Sequence, residues 1–303
     1  MNRTLQQLGF GQKDRVVIIH ADDIGMCQAS LSAFEDLLDF GLTTSGSVMV
    51  PCPWFPQAVT FCRDNPDVDM GVHITLTSEW KAYRWGPIAF REPSTGLVDA
   101  DGYFPYTSQG IWEKADKYSI FNEAERQLQK ALSGGIAATH MEDHMGVLSH
   151  PRLVTDYIEL LLYHQLPARE VYFGEEALSN EWFRPHYIAL QRAEVVGLPI
   201  FDFIRGLSLD EPHDQESQLL KVLEDLPQGG LSLLVFHPAR DTPELRAMTS
   251  SWPSRVANYK SLLNPGIKAY IQENGIHLLG YRELREVMIQ NKSLYYKEVF
   301  KDG

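Results

Sequence analysis

Cysteine is scarce in this chain: Cys27, Cys52 and Cys62 are the only three in 303 residues, and no two form a C-x-x-C pair. An odd, unpatterned set excludes a disulfide framework and a structural zinc knuckle, and leaves all three as buried thiols. Basic runs are also missing. With 27 Lys and Arg against 40 Asp and Glu, the net charge is −13, and no stretch could track a phosphate backbone, so nucleic acid is excluded as a partner. Nowhere do about 18 apolar residues follow one another, and the opening MNRTLQQLGFGQKDR lacks the apolar core of a signal peptide. The expectation is a protein of the cytoplasm with no membrane partner. There is no G-x-S-x-G elbow, no P-loop and no G-x-G-x-x-G after a strand, which removes serine-nucleophile and nucleotide-binding readings.

What is present is a large apolar fraction, 44%, enough for a sizeable core, laid out in a regular alternation. VVIIH reads as a buried strand and ASLSAFEDLLDF as a helix stopped by Gly41; SGSVMVPC, DMGVHITL, ATHMEDH, REVYFG, IFDFI, LSLLVFHPA and IHLLGY are further strands. Helical stretches separate them, among them WFPQAVTFCRDNP, FNEAERQLQKALSGG, RLVTDYIELLLYHQL, ALQRAEVVGL, QESQLLKVLEDL, RVANYKSLLNPGIKAYIQENG and the closing RELREVMIQ. The pattern predicts one α/β domain over residues 1–303: a single (β/α) barrel of seven or eight parallel strands, since parallel strands need crossover helices and a closed sheet has no edge. A doubly wound open sheet is the rival. Residues 77–118, rich in aromatics, Pro and Gly, interrupt the rhythm as an irregular insertion, either a binding loop or lid or a structural flap.

In such barrels chemistry sits where strands end. Asp22 and Asp23 end the first strand, His73 lies in GVHI, His140, Glu142 and His144 occupy ATHMEDH, and His237 follows LLVF. Asp23, His73 and His144 form a His, His, carboxylate set of the kind that binds a divalent cation with a position left for water. Such an ion would relieve the repulsion between two adjacent carboxylates. His140, Glu142 and His144 share one side of a strand, but His140 and His144 would share a helical face too, and His150 is near, so spacing alone leaves the choice of histidines open. Asp22 is placed to take a proton from a water activated by the ion, and His237 to return one to a leaving group. Isolated histidines such as His186 and His277 read as surface or satisfied residues.

HADDIG, GVHITLT, THMEDH, FHPA and IHLLGYREL, in that order, resemble the YdjC-like carbohydrate deacetylases, the chitooligosaccharide or hopanoid-associated deacetylase type, across about residues 15–290. The resemblance implies a distorted TIM-like barrel of the polysaccharide-deacetylase type and removal of an acetyl group from an N-acetylated sugar. It implies one divalent metal on Asp23, His73 and His144, Asp22 as base and His237 as acid. This chain departs from the family pattern in having Glu142 for Asp, Asp143 for Ser or Gly, Gly146 for a further His, and Phe236 for Cys. Zinc or magnesium is the expected ion, with manganese or cobalt as alternatives. Trp80, Tyr83, Trp85, Phe90, Tyr103, Phe104 and Tyr106 suit sugar stacking or core filling equally. The rivals are a metal-dependent hydrolase of phosphoesters or cyclic amides and a non-catalytic sugar-binding barrel. The substrate is expected to be a neutral small molecule or oligosaccharide, and the assembly a homodimer.

Overall fold

Residues 16–19 are fully buried on both faces, and in the computed structural model, which describes residues 1–299, they lie in the central strand β1 (Arg15–Ile24). Six further parallel strands among the described residues are β2 (Ser45–Val48), β3 (Met70–Ile74), β4 (Met141–Asp143), β5 (Phe203–Gly206), β6 (Leu231–Phe236) and β7 (Ile276–Leu278). The sheet runs β4-β3-β2-β1-β6-β5. β7 pairs with Arg15, Val16 and Val17, whereas β2 pairs from His20 onward, so these two short strands share the edge of β1 that faces away from β6.

The period-2 geometry of β1 sorts its side chains. Val17 and Ile19 pack with Leu37, Leu223 and Ile271 of the surrounding helices. Val16 and Ile18 pack with Phe201, Leu233 and Tyr281 on the opposite, inner face. His20 and Asp22 continue that inner row. Asp23 would by alternation point outward, but its backbone is left-handed (φ 63°) and the register of β1 against β2 shifts between Ala21 and Ile24. This kink turns a second carboxylate toward the end of the strand.

The expected helices form, with one difference among them and one among the strands. Helix Gln28–Phe40 ends at Gly41, whose left-handed φ of 80° lets its N–H bond to Leu37 O. RVANYKSLLNPGIKAYIQENG is two helices, Trp252–Leu262 and Pro265–Glu273, because Asn264 caps the second and Pro265 occupies its first turn. REVYFG, expected as a strand, contributes only an isolated bridge, Val171 to Phe201. Pro167 has no N–H to give a ladder; its carbonyl accepts from Met141 N at 3.0 Å, and Glu170 O accepts from Phe201 N at 2.8 Å. Residues 167–171 thus span the gap between β4 and β5 by single hydrogen bonds, and the result is an α/β half-barrel of parallel strands and helices. Within residues 77–118 the chain forms a short helix, Ser108–Lys114, and a turn, Pro93–Thr95. No described helix is long and apolar enough to cross a membrane.

Gly71 of β3 is where sequence and packing are most tightly coupled. A Cβ there would press into the His140 ring, which cannot yield: it stacks on Tyr281 at 3.9 Å and its Nδ1 bonds Thr139 Oγ1 at 2.9 Å. Gly71→Ala is expected to destabilise the fold by about 1–3 kcal/mol, the usual cost of overpacking, read as a lowered denaturant midpoint at unchanged slope.

Candidate active site

The ends of β1, β3, β4 and β6 meet at a cavity of about 530 Å³ that Asp22, Asp23, His73, His144 and His237 line together. The structure therefore brings together all five residues singled out from the sequence. Each arrives by a distinct local device. Asp22 follows the inner row of β1 and Asp23 the kink after it. His73 sits inside β3, where it pairs with Glu142 of β4. His144 begins a turn in which Met145 and Gly146 are both left-handed (φ 58° and 68°), swinging the chain away from the sheet at that point. His237 directly follows β6, its N–H donating to Asn258 Oδ1 at 2.8 Å.

Three donor atoms converge. Asp23 Oδ1 lies 3.5 Å from His73 Nε2 and 3.4 Å from His144 Nδ1, and the two imidazole nitrogens are 3.1 Å apart. Four ligands about 2.1 Å from one tetrahedral ion stand roughly 3.4 Å from each other, so these spacings fit a single divalent cation. Asp23 Oδ1 is buried without a hydrogen-bond partner, because Arg255 takes the other oxygen at 2.8 Å. The two rings are placed in different electrostatic surroundings. Although burial opposes it, the carboxylates of Asp23 and Glu79 beside it push His144 up to about 10, whereas burial pushes His73 down to about 4. Glu79 Oε1 lies 3.3 Å from His144 Nε2, the ring nitrogen that does not face Asp23, and so is placed to orient the ring.

Two other buried donor sets exist among the described residues: His20, His140 and Glu142, and Asp22, His73 and Glu142. Neither His20, His140 nor Glu142 lines the cavity. His20 Nε2 instead lies 3.0 Å from Asp22 and 3.3 Å from Glu142, and despite burial these carboxylates hold it at about 9. His140 belongs to the layer below the site, beside Thr139 and Asp69.

Asp22 is poised differently from Asp23. Arg169 donates to its Oδ2 at 3.0 Å, and His237 Nε2 lies 3.6 Å from the same oxygen. Burial alone would raise its pKa, but His73, Arg169 and His20 hold it well below the usual carboxylate range. His237 is lowered by burial, and its Nδ1 has no partner. The adjacent carboxylates are thus compensated by arginines from opposite sides, Arg169 on Asp22 and Arg255 on Asp23, as well as by His20.

Sequence reasoning missed Arg169, Arg255, Glu79 and His20. Only His20 carried a usable signal, two residues before Asp22 on one strand face. The remaining candidates lie elsewhere. Asp143 Oδ2 accepts from Leu148 N and Ser149 N at 2.6 and 3.1 Å, fastening the turn after His144. His150 packs between Trp112 and Trp182, His186 bonds Glu170 at 2.6 Å, and His277 is half exposed near Asp14. The three cysteines are free and buried, as expected.

Comparison with known proteins gives the site a context. A Thermus thermophilus protein named carbohydrate deacetylase is 33% identical over 94% of this chain and 98% of its own length. One of the same name from Thermoanaerobacter pseudethanolicus is 27% identical over 89% of this chain and all of its own. A crystal structure from Enterococcus faecalis V583, described as a candidate cellobiose-phosphate cleavage protein, superposes with a TM-score of 0.75 at 25% identity, covering 89% of this chain and 99% of that one. The family pattern described as YdjC-like protein matches residues 16–273. By that match, over most of its length, the chain belongs to the YdjC-like family.

Proposed function

We propose that the protein is a metal-dependent hydrolase that removes the acetyl group from an N-acetylated sugar. The observation that carries this reading is the shared cavity: a three-donor cation set with an ionised carboxylate on one side and an imidazole 3.6 Å from that carboxylate. The relatives' names supply the substrate class, and Trp80 and Trp85 give the cavity flat walls. The half-barrel is read as the distorted TIM-like barrel of polysaccharide deacetylases.

A divalent cation on Asp23, His73 and His144, zinc or magnesium by donor chemistry, would polarise the acetyl carbonyl and acidify water. The protein's own groups manage the protons. Asp22, kept ionised by Arg169 and His20, accepts a proton from the attacking water as the new C–O bond forms. His237 Nε2, facing the same oxygen of Asp22, takes that proton onward. Because burial lowers its pKa, the imidazolium gives the proton up readily to the amide nitrogen as the C–N bond breaks. The products are acetate and a free amino sugar.

Acetate release from N-acetylglucosamine oligomers by metal-loaded protein tests the reading; release from no acetylated sugar ends it. Elemental analysis is expected to find one ion per chain. Two per chain would favour the phosphoesterase alternative, for which His20, His140 and Glu142 offer a second donor set. Arg169 should act through Asp22: Arg169→Gln is expected to lower kcat by about 10–100-fold with the cation retained, and Arg169→Lys to recover part of the loss. An unchanged kcat in Arg169→Gln would remove that role.

A further inference from the structure

The irregular insertion, residues 77–118, makes hydrogen bonds beside each of the three donors that separate strands deliver. Tyr83 Oη donates to Met26 O at 2.7 Å, three residues after Asp23. Ser108 Oγ donates to Met145 O at 2.7 Å and Trp112 Nε1 to Val147 O at 2.9 Å, so two bonds fasten the turn that begins at His144. Glu79, at the start of the insertion, lies 3.3 Å from His144 itself.

The connection to His73 runs through the helix Lys117–Gly134. Two residues past His73, Thr75 N donates to Gln127 Oε1 at 2.9 Å and Thr75 O accepts from Gln127 Nε2 at 2.7 Å, so this side-chain amide stands in for a neighbouring strand where β3 has ended. Gln127 Nε2 also donates to Glu123 Oε1 at 2.8 Å, and Glu123 accepts from the insertion, from Ala89 N at 2.8 Å and Ile88 N at 3.1 Å. Both side chains are fully buried. A buried carboxylate met by N–H groups in place of a cation is costly to keep, which marks this join as specific rather than incidental.

A closing lid would be built differently. Segments that open have few buried apolar contacts, whereas Trp85, Leu97, Phe104 and Ile111 of the insertion are buried in the same core cluster as Ile74, Met141 and Val147. Donors drawn from three strands must keep their positions to within about 0.5 Å to act together. Past the last ladder bond of each strand, that stiffness has to come from another part of the chain.

We propose that residues 77–118 form a fixed brace for the cation centre, with Tyr83, Ser108, Trp112, Glu123 and Gln127 as positioning residues that hold the segments after Asp23, His73 and His144 at coordinating distance. The proposal rests on the cation reading of those three donors and is independent of which bond is cleaved.

The test measures zinc or magnesium affinity by competitive titration, beside the urea midpoint of the metal-free protein, in wild type, Tyr83→Phe, Trp112→Phe and Tyr172→Phe. The last variant loses a 2.8 Å bond to Glu194 outside the brace and serves as the control. Tyr83→Phe and Trp112→Phe are each expected to bind the ion about tenfold more weakly, as when a group behind a ligand is removed. Their metal-free midpoints should fall no further than the control's, and the control should keep wild-type affinity. Hydrogen exchange of the wild-type protein reads the brace without substitution: with neither metal nor sugar present, peptides covering residues 83–89 and 108–112 should exchange as slowly as those of β3. Fast exchange there, slowed only by added N-acetylglucosamine oligomer, would make the insertion a lid and overturn the brace. Wild-type affinity in both brace variants, or an equal loss in the control, would overturn the brace alone, whereas wild type that bound neither ion would overturn the cation reading with it.

Discussion

Asp22→Asn is expected to lower acetate release by about 10²–10⁴-fold, the usual contribution of a positioned general base, while the protein still binds its cation. The separation follows from the geometry. Asp22 shares its oxygens with Arg169 and His20, at 3.0 Å each, whereas the convergent donor set is completed by Asp23, His73 and His144 without it. Asparagine keeps the volume and can still accept from Arg169, so packing is preserved and only the capacity to take a proton disappears. The measurement is acetate release at saturating metal, paired with metal content after gel filtration. Loss of the ion together with the activity would instead make Asp22 a ligand, and full activity in Asp22→Asn would remove it from the chemistry.

His144→Ala should do the converse. His144 supplies one of three donors and is the ring that Glu79 orients, so its removal leaves Asp23 and His73 as a two-donor remnant. Metal affinity is expected to fall by more than about 100-fold, beyond the loss typical of an orienting partner alone, with activity falling in parallel and recovering in part at high metal concentration. The readout is a competitive metal titration alongside the acetate assay. Retention of metal at wild-type affinity would refute the donor set. The two variants thus split the site into a group that handles protons and a group that holds positive charge.

Much of this site was readable in the chain because its residues sit at strand ends, where local pattern and chemistry coincide. VVIIH sets the alternation that carries His20 and Asp22 inward, and the histidines after GV, THMED and LLVF mark the same mouth. Arg255 was not readable. It lies in the helix Trp252–Leu262, and nothing in that helix's own periodicity tells that its first turn reaches back to Asp23. Arg169 was hidden for a related reason: within REVYFG it looked like an ordinary strand flank, and its role depends on Pro167 denying that segment a ladder. The interruption of the ladder at the same place was not readable either, since counting apolar runs does not reveal which of them obtain hydrogen-bonding neighbours. Glu79 opens the irregular insertion, where no period exists to assign a direction.

The left-handed backbone at Asp23 limits how the centre can be re-engineered. Glycine, asparagine, aspartate and histidine enter that conformation more readily than other residues, and β-branched side chains are strained there, so chain geometry shortens the choice of residue before coordination chemistry does. A β-branched residue in place of Asp23 would meet resistance from the peptide backbone before any ion was offered. If the proposed cation centre were to be rebuilt, position 73, inside a regular strand, would accept the wider range of side chains, and position 23 the narrower one.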